Sequence, residues 1–170
     1  YRQQRIVLPV LAWLVSGGGN PTAVTWALIG LNVLATGALA AIGARLARDH
    51  RRTPWWGLAL ALAPGFAVTL AADLNELVAM AFATGGLLAV RRRHWSAAAL
   101  FTLAVLTRET TLLIPIGLGV AWVIEHRPGS RRLEVPMAAF VVPGIVLVAW
   151  QRFLQGRWDA DAPAESGASF

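Results

Sequence analysis

Arg108 and Glu109 stand side by side at the middle of residues 95–125, a largely apolar run whose polar centre is the block Thr107-Arg108-Glu109-Thr110. Charged side chains within or at the edge of a bilayer are costly, which makes such a pair a candidate for function. Arg108 could hold a phosphate through its guanidinium fork, with the Glu109 carboxylate orienting it or accepting from a sugar hydroxyl. The same pair could instead close the tip of a helical hairpin as a local ion pair. Asp73 and Glu76 form a second candidate. Asp73-Leu74-Asn75-Glu76 has the spacing of a helix capping box, Asp73 as N-cap and Glu76 reaching back. Placed beside a cavity, these two carboxylates could also bind a divalent metal or act as general base toward a hydroxyl. Arg2 and Arg5, in Tyr1-Arg2-Gln3-Gln4-Arg5, could bind phosphate or simply touch lipid headgroups. Arg152 and Arg157 read as snorkelling anchors. His50, His94 and His126 each adjoin an Arg and are far apart in sequence, so no metal site is expected of them. The chain has no Cys, hence no disulfide framework, zinc cluster or thiol nucleophile. It carries no phosphate-binding loop, dinucleotide fingerprint or nucleophile elbow.

The elements that would position these residues are written in the hydropathy. Of 170 residues, 56% are hydrophobic and 14% charged, and the mean hydropathy is +0.57; soluble domains carry about 25% charged residues. All 15 basic residues are Arg, against 9 acidic ones. A nucleic-acid partner would require a basic face. Here the Arg residues punctuate apolar runs, so membrane lipid is the expected partner and nucleic acid is not. Crossing a bilayer takes about 20 apolar residues in a helix. Residues 22–47, 55–72, 74–90 and 135–153 qualify as spans, with Pro64-Gly65 a kink in the second and Pro143 inside the last. Residues 95–125 would make a helix of about 46 Å, too long for one upright crossing. One crossing would also put Arg91-Arg92-Arg93 and Arg131-Arg132 on opposite sides, against the positive-inside tendency. Residues 95–106 and 111–125 are therefore read as an antiparallel pair with Arg108-Glu109 at its tip. The three Arg clusters, around Arg45–Arg52, Arg91–Arg93 and Arg127–Arg132, then all face the cytoplasm.

Residues 6–16 are too few to cross and read as an interfacial helix on the outer face, with Trp13 at headgroup depth and Gly17-Gly18-Gly19 ending it; a re-entrant segment is the alternative. The expected fold is all-α, a polytopic transmembrane bundle of about six spans forming a single domain over residues 1–170. Residues 1–21 hold the interfacial helix and its loop, 22–154 the six spans, and 155–170 an outer loop, mobile from Asp159 onward. The expected location is the bacterial inner membrane. Because the chain starts at Tyr1 and ends in a polar tail, both ends are expected to be cuts through a longer protein.

The order of these features resembles the membrane glycosyltransferases of the C-type fold, especially the bacterial mannosyltransferase-like branch. The resemblance rests on Tyr1-Arg2-x-x-Arg5-Ile6-x-Leu8-Pro9 with Trp13, then Ala63-Pro64-Gly65, Asp73-x-x-Glu76, and Leu106-Thr107-Arg108-Glu109-Thr110 followed by Pro115. Trp150-x-x-Phe153 to Gly156, opening into an outer loop, belongs to the same pattern. It implies sugar transfer on the outer side, mannose being one candidate, from a polyprenyl-phosphate-linked donor. It also implies that Arg108 and Glu109 lie near the donor phosphate and that Asp73 and Glu76 are outer-face acids beside the cavity. In that fold a carboxylate in the first outer loop deprotonates the acceptor, and that loop precedes the helix placed at residues 6–16. The general base is thus expected outside this chain, and the divalent-metal requirement stays open. Two readings compete: a noncatalytic scaffold of glycan assembly, and a lipid or solute transporter. Transport would favour paired repeats and buried mid-bilayer polar groups; no repeat is visible, and Asn32, Thr36 and Thr69 are the notable polar residues within spans. On the glycosyltransferase reading, this chain assayed alone with a lipid-linked mannose donor should transfer no sugar; measurable transfer would show that its own residues include the base.

Overall fold

A computed structural model describes residues 6–18, 20–62, 76–90, 94–125 and 137–161. Among them all regular structure is helical: α1 (Val7–Val15), α2 (Pro21–Asp49), α3 (Trp56–Ala61), α4 (Glu76–Ala89), α5 (His94–Thr107), a 3-10 helix (Glu109–Leu112), α6 (Leu113–Glu125) and α7 (Met137–Asp161).

The longest helix shows how the fold packs. α2 begins where the Asn20 side chain accepts a hydrogen bond from the Ala23 N–H at 2.8 Å, with Pro21 preset for the first turn. Its buried residues are Ala27, Asn32, Ala35, Leu39, Gly43 and Ala47, a narrow stripe of mostly small side chains at near four-residue spacing. Several large apolar residues point the other way: Trp26, Val33 and Leu34 are exposed, Leu34 by 70%. α2 and residues 138–157 of α7 are each long and apolar enough to cross a membrane, yet only 17% and 11% of their apolar stretches are buried. Core helices of soluble domains bury such surface. Here it faces outward, as a surface that meets a membrane or another protein does. Threonines behave consistently. Thr25, Thr36, Thr84, Thr102 and Thr107 each return the hydroxyl to the carbonyl four residues back, so none of them needs water.

Two clusters hold the helices together. Leu8 of α1, Ala35 and Leu39 of α2, and Leu77 and Val78 of α4 form one; Ala97 and Phe101 of α5 with Ala139 of α7 form the other, flanked by Ile114 and Leu118 of α6. The second cluster answers the question posed by residues 95–125. As one straight helix, Ala97 and Leu118 would lie about 30 Å apart at 1.5 Å per residue. Sharing a cluster, they require the chain to reverse, and it does so through the 3-10 helix after Arg108. The arms are bridged by α7, which packs on both. α1 likewise folds back against α2 and buries Val7, Leu8 and Ala12, while Trp13 remains exposed.

The spans expected from hydropathy are realised in part. Within the described residues α4, α5 and α6 have 14, 14 and 13 residues, about 20 Å each against a hydrocarbon core of about 30 Å, and each adjoins a segment outside the described residues. α3 is followed only to Ala61, and most of the expected span at 55–72, with Pro64-Gly65, falls outside the described residues. α7 runs to Asp161, past the expected end at Phe153, since nothing between them breaks a helix; the start of the expected outer loop is therefore helical.

Among the described residues, two glycines permit the closest approaches. A Cβ on Gly57 of α3 would lie 2.3 Å from the Ala40 carbonyl oxygen of α2, and one on Gly86 of α4 would lie 2.7 Å from the fully buried Phe101 ring. Gly57→Ala and Gly86→Ala should each lower stability by about 1–3 kcal/mol through overpacking. Gly30→Ala, where a Cβ meets open space, should raise it by up to about 1 kcal/mol through helix propensity. Thermal unfolding in detergent, followed by circular dichroism, compares all three; equal effects at Gly57, Gly86 and Gly30 would contradict this packing.

Candidate functional site

The corner between α5 and α6 fixes Arg108 from its backbone outward. The Arg108 N–H donates to the Ala104 carbonyl at 2.8 Å as the last bond of the α-helical ladder. The residue then turns extended, at φ −150° and ψ 112°, to start the 3-10 helix. Its carbonyl accepts twice from Thr111, from the backbone N–H at 3.0 Å and from the hydroxyl at 2.7 Å. Thr111 is buried, and so is Thr107 on the preceding turn, so the backbone that carries Arg108 is enclosed on both sides.

The side chain is held at two points. Nε donates to the Thr110 hydroxyl oxygen at 3.0 Å, and a terminal nitrogen forms an ion pair with Oε1 of Glu76. Of the five N–H donors of a guanidinium, the others have no partner among the described residues. Glu76 opens α4, where a carboxylate is favoured by the helix dipole. Leu77, the next residue, packs in the cluster with Ala35 and Leu39, so the ion pair lies near mid-length of α2. Both side chains are about one-third exposed, 31% for Arg108 and 36% for Glu76, because they face an open pocket.

That pocket has a volume of about 300 Å³. Ala79, Met80 and Ile114 give it apolar walls, and Glu76, Arg108, Thr110 and Thr111 give it its polar groups. The volume is at the small end for ligand sites and suits one phosphate or one sugar ring. The arrangement offers a cation with free donors, an acceptor carboxylate, two hydroxyls and an apolar surface for the C–H face of a ring.

Of the residues singled out from sequence, Arg108 and Glu76 are brought together. The carboxylate that orients Arg108 is therefore Glu76 on another helix, and the pair is no local closure of the tip. Glu109 is exposed and makes no ion pair among the described residues. Asp73, Arg2 and Arg5 lie outside the described residues, as does any pairing of Asp73 with Glu76. Thr110, Thr111, Met80 and Ile114 were not anticipated. The hydroxyls flanking Arg108 were visible as a break in the apolar run, but their role in bonding the Arg108 carbonyl and Nε depends on the 3-10 turn.

An ion pair this exposed contributes about 0–1 kcal/mol to folding. A double-mutant cycle of Glu76→Gln and Arg108→Met, read by thermal unfolding, should give a coupling within that range; a much larger value would mark the pair as a structural tether. Thr111→Val, which removes a buried bond to the corner backbone, should cost about 0.5–1.5 kcal/mol in the same assay. Comparison with protein-family models, with curated proteins and with solved structures finds no match for this chain.

Proposed function

We propose that these helices belong to a polytopic glycosyltransferase of the bacterial inner membrane, and that the Arg108 pocket receives the sugar phosphate of a polyprenyl-phosphate-linked donor on the outer side. The observation that carries this reading is the convergence of Arg108, Glu76 and Thr110 on one small pocket near mid-length of the longest apolar helix. An ion pair at that depth is expensive unless it serves a ligand or an ion path. When the sugar's anomeric C–O bond breaks, negative charge grows on the leaving phosphate. A guanidinium already oriented by Glu76 and Thr110 stabilises that charge with little reorganisation. The apolar walls leave room for the C–H face of the sugar, and the lipid tail stays in the bilayer.

The six-span arrangement is part of the same proposal, with Arg45–Arg52 in the cytoplasm and α1 on the outer side, folded back on α2. Outward apolar surface and internally bonded threonines support a lipid environment. A chain with no Cys allows clean single-cysteine labelling. A membrane-impermeant maleimide should label Ser16→Cys from outside intact cells, and Thr53→Cys only after permeabilisation; labelling of Thr53→Cys from outside would invert or abolish this topology.

Farnesyl phosphate, a short-chain analogue of the leaving group, tests the site directly. Arg108→Ala should weaken its binding by about 10- to 100-fold, the worth of a charge-assisted hydrogen bond of about 1.5–3 kcal/mol. Glu76→Gln should leave it unchanged or tighter, since a negative charge beside the anion is removed. Equal affinity in the wild type and Arg108→Ala, measured by calorimetry in detergent, would refute a phosphate site here and favour a scaffold.

A further inference from the structure

α2 ends in a turn built on an unusual residue. The Arg52 N–H donates to the Ala47 carbonyl at 2.8 Å and the Arg51 N–H to the Arg48 carbonyl at 2.9 Å, the paired bonds of a Schellman cap. The His50 N–H donates to the Leu46 and Ala47 carbonyls, each at 3.2 Å. The residue that must adopt the left-handed conformation is Arg51, at φ +56°, where Gly would be unstrained. Beside this turn Gly57 brings α3 onto the α2 backbone, and between the two helices lies a pocket of about 540 Å³ lined by Gly43, Leu46, Ala47, His50, Arg52 and Trp56. Arg45, Arg48, Arg51 and Arg52 make no ion pair among the described residues, and Asp49 is the lone acid between them. Of the carbonyls at this helix C-terminus, those of Leu46, Ala47 and Arg48 accept from the turn's own N–H groups. Trp55 and Trp56 are exposed by 76% and 63%, as expected of indoles at a membrane–water boundary.

We propose that this pocket binds the headgroup of an anionic phospholipid, distinct from the Arg108 site. Arg52 and His50 donate to the phosphodiester, Arg48 and Arg51 add positive potential from the same turn, and the acyl chains follow the apolar flank that begins at Leu46. Basic pockets between helices at a cytoplasmic boundary have the chemistry for such headgroups. A strained Arg where Gly would fit is accounted for if its charge is used there. The inference rests on the membrane part of the reading above and not on sugar transfer.

The test titrates the full chain in maltoside micelles with dihexanoyl-phosphatidylglycerol, with dihexanoyl-phosphatidylcholine and glycerol 1-phosphate as comparisons, counting bound lipid by native mass spectrometry. One phosphatidylglycerol is expected to be retained in preference to both comparisons. Arg52→Gln should weaken it about five- to tenfold, and Arg108→Ala should leave it unchanged. Arg51→Gly should weaken it about fivefold while unfolding at the same or a higher temperature, which separates lost binding from lost folding. Equal retention of phosphatidylcholine, or wild-type affinity in both Arg51→Gly and Arg52→Gln, would overturn the proposal. Glycerol 1-phosphate binding as tightly would make it a free-phosphate site instead. A chain that stays monodisperse without detergent would remove the membrane reading and this inference together, whereas loss of farnesyl phosphate binding alone would leave it standing.

Discussion

The Phe101 ring lies fully buried where α4, α5 and α7 meet, and its seat exists because Gly86 has no side chain and Ala97 and Ala139 have short ones. The interhelical spacing set there governs the rest. α4 carries Glu76 at its start and α5 carries Arg108 just past its end, so the ion pair forms only when the two helices keep that separation. α7 bridges the two arms of residues 94–125 through the same cluster, and so the corner that bears Arg108 inherits its position from the ring. A contact of purely apolar groups thus sets the electrostatics of the pocket. Packing of this kind resists small displacements, because close-packed side chains have few alternative arrangements.

The α5–α6 corner and the end of α2 are built on opposite logic. At the α5–α6 corner a guanidinium is pinned by a carboxylate and a hydroxyl, with its carrying backbone enclosed by buried threonines. Such a group acts by orientation. At the end of α2 several guanidiniums stand without acidic partners among the described residues, around a turn closed by its own backbone bonds. Such a group acts by potential, which reaches farther and discriminates less. The first arrangement suits one bond in one geometry. The second suits any anion that presents itself at the right depth.

Much of the architecture could be read from residues alone. The break at Arg108, the helical arms on either side and the approximate ends of α2 follow from polar interruptions in apolar runs. The partner of Arg108 could not be read. Glu76 and Arg108 belong to different helices, and hydropathy reports where a helix is without reporting which way it is turned. Asp73-x-x-Glu76 has a sufficient local explanation as a cap, which hides a tertiary role for Glu76. Nor could the depth to which α4, α5 and α6 reach be read, because a run of apolar residues looks the same whether it crosses a bilayer or stops part-way against its neighbours.

The stripe on α2 has a consequence for how this chain can vary. In most water-soluble helices one face is kept apolar and the other polar, so a single property, hydrophobicity, sorts acceptable from unacceptable replacements. Around α2 two different properties divide the circumference. Along Ala35, Leu39, Gly43 and Ala47 the constraint is volume: another apolar residue is excluded if it is larger, and a small polar one is judged mainly by size. Along Trp26, Val33 and Leu34 the constraint is affinity for the surroundings, and shape is nearly free. Neighbouring positions on this helix therefore drift under unrelated rules. Variants that exchange a residue's size for its polarity, neutral on one side, are the ones excluded on the other.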